Sequence, residues 1–453
     1  MREQFLMREK LLIMIFIYTR FFYIIYFMEL KIYNYTINGL NTLLIPMMDS
    51  QIVSVGMFIN VGSMNENKNN NGVAHFLEHL MFKSTKKRPN KTLLKSLDNL
   101  GTNYNAGTTR DHTYYEINGN KKDIEEIIDI ILDLYSNPVY EVDEIELEKG
   151  VILEERKMNE DNITRSLFDF IMSEIFKGTP LERTIIGTEK TIKGLTINDI
   201  NDFRKLYTLK NSLFVIAGNF SKNKVINIIK KHLKEYTFLT DKIDEPVINY
   251  KILSNKPNTY IIPNKNLNQS YIYISFYFDN LTFQQESILK FLSTYFSSGS
   301  TSKLFEVLRN KLGASYSNES SYIIFKGTYG MFYIYCNVNN ILILESITEI
   351  LNIIKNLKTS YIPEEEINKV KKIFETNNLF EVNNPNNIML FHGYNYLYNR
   401  KNNIFDSVNF INKLTPKAIK DFSIDFFLKK NINLFIYGND IDPSNVAKII
   451  NIF

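Results

Sequence analysis

One internal echo limits the folds open to this chain more than any other feature. The stretch LTINDINDFRKLYTLKNSLFVIAGNF at 195–220 returns as LTPKAIKDFSIDFFLKKNINLFIYGND at 414–440. Leu195, Thr196, Ile200, Asp202 and Phe203 stand at the same offsets as Leu414, Thr415, Ile419, Asp421 and Phe422. Each copy ends on Gly-Asn, at Gly218-Asn219 and Gly438-Asn439. Each reads as a threonine-capped helix, a Lys-Asn turn and a wholly apolar strand. The starts of the halves correspond as well: QIVSVGMFINVGS (51–63) and QSYIYISFYFD (269–279) are apolar or alternating strands followed by helical segments. The expected fold class is therefore α+β, with two similar domains, each a mostly antiparallel sheet with helices packed on one face. The segment KKDIEEIIDIILDLYS (121–136) has the three-and-four apolar spacing such a helix needs.

A length of 453 residues suits two cores better than one. The expected domains are 28–237 and 257–453, joined by a polar linker at 238–256. A net charge of +4, without a Lys/Arg run interleaved with aromatics, makes nucleic acid a poor partner. The single cysteine, Cys336, excludes an internal disulfide framework and any multi-thiolate metal site, and it favours a reducing compartment. Asn-rich tracts such as NENKNNNG read as nucleotide bias filling loops.

Residues 1–27 stand apart as a hydrophobic extension. The run LLIMIFIYTRFFYIIYFM (11–28) approaches membrane-spanning length, but Arg20 near its middle costs roughly 2.5–3.5 kcal/mol on insertion scales. Glu3 and Glu9 argue against a mitochondrial transit peptide. The expectation is an extension ahead of a working start at Met28, with a signal anchor as the alternative. Membrane contact is expected only through residues 11–28.

The chemistry concentrates in His75-Phe76-Leu77-Glu78-His79, which holds two of the five histidines. On a helix, positions i and i+4 put both imidazoles on one face, where they can share a cation. Glu78 falls at the edge of that face, placed to act on water rather than to ligate. Gly72 and the loop before it supply a helix start. A catalytic zinc needs three protein ligands and an open position, so a carboxylate is expected to complete a His₂Glu set. The richest acidic helix, 143–160, offers Glu148, Glu154 and Glu155, and composition does not choose among them.

The order His-x-x-Glu-His is the inverse of the thermolysin-type His-Glu-x-x-His and marks the inverzincins. From about residue 35 onward the chain resembles the pitrilysin/insulinase family of zinc metallopeptidases, in its half-length form. The resemblance implies a third zinc ligand 76 positions after the second histidine, at Glu155, with Glu154 as the alternative if the register slips. It implies a supporting carboxylate seven residues earlier, at Glu148. The segment LGTNYNAGTTRDHTYYEI resembles the family's strand beside the site, which implies substrate binding at Asn105, Ala106 and Thr108 by edge addition. SSGSTSKLFEVLRNKLGASYSNESS resembles the segment carrying an Arg and a Tyr seven apart, here Arg309 and Tyr316.

The resemblance implies a zinc metalloendopeptidase acting on short or unfolded polypeptides, one Zn²⁺ per chain, with Glu78 as general base and Arg309 and Tyr316 contacting the substrate carbonyl. In half-length relatives that pair reaches the zinc across a dimer interface. The expected assembly is thus a homodimer, or a dimer with a related half-length subunit, around a peptide substrate. The competing reading is a non-catalytic structural subunit of the same fold, like the core proteins of respiratory complexes.

Overall fold

A computed structural model of the chain describes residues 30–90, 92–240, 256–326 and 328–453. The extension 1–27 and most of the 238–256 linker lie outside the described residues. Among the described residues no helix is long and apolar enough to cross a membrane.

Two sheets dominate. The first contains β1 (Tyr33–Ile37), β2 (Leu40–Pro46), β3 (Ile52–Ile59), β4 (Asn103–Thr108), β5 (Thr113–Asn120) and β6 (Ser212–Gly218), in the order β1-β2-β6-β3-β5-β4. The second contains β7 (Asn258–Pro263), β8 (Gln269–Asp279), β9 (Ser315–Phe325), β10 (Tyr329–Asn339) and β11 (Ile432–Gly438), in the order β7-β11-β8-β10-β9. In each sheet one parallel pair, β2 with β6 and β7 with β11, continues into antiparallel neighbours. Strand for strand the second order repeats the first without β1. The duplication seen in the residues is thus a duplication of topology.

The repeated segments fold alike for the same local reasons. Thr196 and Thr415 accept hydrogen bonds from the backbone N–H groups of Asp199 and Ala418, capping helices Ile197–Arg204 and Pro416–Phe426. Both closing glycines lie in the positive-φ region, Gly218 at 126° and Gly438 at 150°. A Cβ at Gly218 would collide with the Ile52 carbonyl oxygen, and one at Gly438 with the Ser270 side chain. Glycine is therefore required at the same corner of both sheets.

Each half covers one sheet face with its own helices. On the first sheet these include α1 (Val73–Met81) and α2 (Ile124–Ser136), whose Phe76, Leu77, Ile127, Ile128 and Ile131 are fully buried. The other faces are covered reciprocally. From the first half, α4 (Ile163–Ile175), which follows the acidic helix α3 (Val142–Asp161), sets Leu167, Ile171 and Met172 against Tyr273, Met331 and Phe435 of the second sheet. From the second half, which also holds α5 (Phe283–Ser297), α6 (Pro385–Leu397) sets Ile388 and Met389 against Leu43, Phe58 and Val215. Burying side chains of this size is worth about 1.5–3 kcal/mol each, so these exchanged helices tie the halves together. Contact is close: a Cβ at Gly56 would meet Met389 Sδ at 2.8 Å, and one at Gly393 would meet the Phe58 ring at 2.5 Å.

Candidate metal centre

The site begins with how α1 starts. Gly72 takes φ 100°, and a Cβ there would meet the Ile186 carbonyl oxygen at 2.7 Å. Before it, the buried Glu66 turns its carboxylate onto the open end of the helix. Its Oε1 accepts from Ala74 N–H at 2.9 Å, and its Oε2 from Gly72 N–H at 3.0 Å and Asn71 Nδ2 at 2.8 Å. Asn71 also donates to Thr184 O at 2.9 Å. Three donors and the positive helix end favour the ionised form, yet burial dominates and pushes the Glu66 carboxyl up to about 7. The Asn-rich tract is thus wired rather than filler: Asn67 and Asn70 also accept backbone hydrogen bonds within it.

One turn further, His75 and His79 project from the same face, ring centroids 4.6 Å apart. Glu155 approaches from α3, its Oε2 3.7 Å from His75 Nε2 and 3.6 Å from His79 Nε2. One donor atom from each of the three residues lies within 4.8 Å of the others. Separations of 3.6–3.7 Å exceed hydrogen-bonding distance. They suit ligands on one tetrahedral cation, where bonds of about 2.0–2.2 Å hold neighbouring donors roughly 3.3–3.6 Å apart. Two imidazoles and a carboxylate are a donor set typical of zinc, so the residues present fit that ion.

The three glutamates of α3 divide by helical phase. Glu155 faces α1. Glu154 is 72% exposed and pairs with Lys157 at 2.7 Å, pointing away from the histidines. Glu148, two turns before Glu155 on the same face, is buried; its Oε1 lies 2.8 Å from His79 Nδ1 and its Oε2 2.7 Å from Lys83 Nζ. That bond fixes the proton on His79 Nδ1 and turns Nε2 toward Glu155.

Electrostatics separate the roles further. Burial holds His75 down at about 3, so its imidazole is neutral and offers a lone pair. Burial also pushes His79 down, but the Glu148 hydrogen bond and the charges of Glu78, Glu148 and Glu155 outweigh it and raise the group. Burial raises Glu78 above the ordinary carboxylate range, opposed by its bond from Thr108 Oγ1 at 2.6 Å.

Thr108 closes β4, which pairs only with β5 and leaves its other edge free among the described strands. Asn105 and Ala106 lie on this edge strand, so the structure brings all three anticipated substrate residues beside α1. A cavity of about 420 Å³ opens there between His75, Thr108 and Glu155 on one side and Tyr273, Tyr333 and Tyr335 of the second sheet on the other. Those tyrosines escaped the sequence reading, as did Glu66 and Lys83.

Arg309 and Tyr316 stand apart from this group. Neither lines the cavity. The Arg309 guanidinium lies over the Tyr316 ring at 4.8 Å and the Phe305 ring at 5.2 Å, and Tyr316 is 78% exposed. The segment Phe305–Lys311 is a π-helix, a distortion frequent at functional positions. The remaining histidines have other neighbours. His112 pairs with Asp111 at 2.7 Å, while His232 lies 3.0 Å from an Asp129 already held by Lys87 and Arg88.

Fold and site together define a two-sheet α+β chain carrying an inverted His-x-x-Glu-His helix against an acidic helix. Residues 43–189 match the profile described as "Insulinase (Peptidase family M16)", and residues 194–374 match "Peptidase M16 inactive domain". Spanning well over half of the sequence, the two matches show that the chain belongs to the insulinase (M16) peptidase family. It is 34% identical over 181 residues to cytochrome b-c1 complex subunit 1 of Mus musculus, covering 40% of this chain and 38% of that one. It is 28% identical over 273 residues to an uncharacterized zinc protease of Mycobacterium leprae, covering 60% and 61%. These matches span less than two thirds of either relative. The crystal structure of a protease from Helicobacter pylori superposes with a TM-score of 0.84 at 22% identity, covering 90% of this chain and 99% of that one, a likeness of fold.

Proposed function

We propose that the chain is a zinc metalloendopeptidase hydrolysing peptide bonds in short or unfolded polypeptides. The observation that carries the reading is the approach of Glu155 to both Nε2 atoms at 3.6–3.7 Å while Glu148 engages His79 Nδ1 from behind. His75, His79 and Glu155 would hold one Zn²⁺. When bound, zinc polarises a carbonyl and lowers the pKa of water.

The chain's own groups do the rest. Glu78, raised by burial, takes a proton from the attacking water on its carboxylate and passes it to the leaving amine. Thr108 holds Glu78 Oε2 in position. The free edge of β4, with Asn105 and Ala106, binds extended substrate by strand addition. Arg309 and Tyr316 serve the site of a second copy, or of a related half-length subunit, where tyrosine donates to the developing oxyanion and arginine binds substrate backbone. The exposure of Tyr316 and the distortion at Arg309 support a surface that completes another chain's site. Leu147, Val151 and Met158 support the same assembly, being exposed apolar side chains on α3 along the stripe that also carries the exposed Glu154.

The second reading is a non-catalytic subunit, supported by the likeness to cytochrome b-c1 complex subunit 1. Zinc stoichiometry, with a peptide-library digest in the presence and absence of a chelator, separates the two. Hydrolysis abolished by the chelator and restored by zinc supports the peptidase; zinc-loaded protein without hydrolysis supports the subunit.

A further inference from the structure

A second cavity, of about 280 Å³, shares no residue with the first. It opens between α5, the C-terminal end of α6 and the turn that follows α6. Lys290, Arg400 and Lys401 line it, and Glu286 is the one acidic residue of the lining. That carboxylate is fully engaged. Its Oε1 accepts from Tyr322 OH at 2.8 Å and Arg400 Nη1 at 3.1 Å, and its Oε2 lies 2.9 Å from Arg400 Nη2. Lys290 Nζ is 3.6 Å from Glu286 Oε1 and donates to Ser407 Oγ at 3.3 Å.

The lining thus holds one carboxylate, paired with Arg400 and near Lys290, against three cations, the third being the exposed Lys401, a surplus of two positive charges. Burial and the like charge of Arg400 hold the Lys290 ammonium below its usual range despite Glu286. Such a cluster is costly unless an anion joins it. Glu286 occupies the fork of the Arg400 guanidinium, so an anion meets the outer N–H groups of Arg400 together with two point-like ammoniums, donors that phosphate oxygens take. Leu281, Phe283 and Phe391 form an apolar patch in a wall otherwise lined by asparagines, Tyr398 and Ser407, and that patch offers an organic group a surface that bare phosphate would leave unused.

We propose that this cavity binds a phosphate monoester, its dianion held by Lys290, Arg400 and Lys401 and its organic group laid against Phe283 and Phe391. Two negative charges match the surplus of two, which favours a phosphate over a carboxylate ligand. This assignment stands independently of the metal site.

Isothermal titration of the full chain with phenyl phosphate, in a phosphate-free buffer of low ionic strength, tests it. Expected are one saturable site and binding about tenfold weaker for inorganic phosphate and for phenylacetate, each of which lacks one half of the match. Lys290→Met and the exposed Lys401→Gln should each weaken phenyl phosphate by about threefold to tenfold. Unfolding midpoints of both variants identify any loss of fold, and Lys401→Gln, altering a surface side chain, carries the test if Lys290→Met unfolds. Absence of saturable binding, equal binding of phenylacetate, or affinity unchanged in folded variants would overturn the proposal.

Discussion

Glu148 lies 2.8 Å from the Nδ1 atom of His79 through one oxygen and 2.7 Å from Lys83 Nζ through the other. A carboxylate in this position fixes which imidazole nitrogen carries the proton. It also couples the acidic helix to the histidine helix at a point that Glu155 does not touch. The relationship makes the site a preorganised unit rather than three donors that happen to lie close.

Glu148→Gln keeps the shape but weakens the hold on His79, so zinc affinity should fall about 10- to 100-fold. Competition with a chromophoric chelator reads this out. Glu154→Gln, on the exposed side of the same helix, should leave affinity unchanged.

Glu66 is expected to govern stability. Glu66→Ala strands buried N–H donors at the start of α1, each worth about 1–3 kcal/mol, so urea unfolding should show a loss of at least about 2 kcal/mol. The pH dependence has a definite sign. Because the folded carboxyl sits near 7 against an ordinary 4.5, the folded state binds the extra proton across that window. Its contribution is present below 4.5 and is lost as pH rises toward 7. Glu66→Gln should flatten that slope.

Subunit complementation tests the composite site. Glu78→Gln and Arg309→Ala should each be nearly inactive alone. Mixed and allowed to exchange, they should recover about a quarter of wild-type activity, since half of the dimers then hold one intact site of two. No recovery, with exchange demonstrated by mass, would place Arg309 in its own chain's chemistry or outside catalysis.

Removal of metal should also register in stability. If His75, His79 and Glu155 bind zinc only when folded, a chelator lowers the thermal midpoint and zinc at a hundredfold excess over its dissociation constant restores about 2.7 kcal/mol. In His75→Ala the midpoint should no longer respond to the chelator.

Legibility in the sequence followed the range of the interaction. His75 and His79 were readable because helical periodicity alone fixes their relation. The paired Gly218 and Gly438 corners were readable because a duplication repeats its local constraints. Choosing among Glu148, Glu154 and Glu155 required the packing of two helices far apart in sequence, which periodicity within one helix does not encode; family resemblance supplied that choice. Glu66 was hidden because two of its three donors are backbone N–H groups, invisible as residue types, and because the third, Asn71, lies in a tract that resembled filler. The reciprocal exchange of α4 and α6 left one usable signal: β6 is apolar at nearly every position, so both of its faces need cover. The residues do not say that the second layer comes from the other half.

The most direct test of the central claim compares the wild-type chain with Glu78→Gln, each loaded with zinc, for metal content and for cleavage of an unstructured peptide library. One zinc per chain is expected in both, with cleavage in the wild type and a loss of about a hundredfold or more in the variant. Normal cleavage by Glu78→Gln, or no cleavage by a fully zinc-loaded wild type, would contradict the claim.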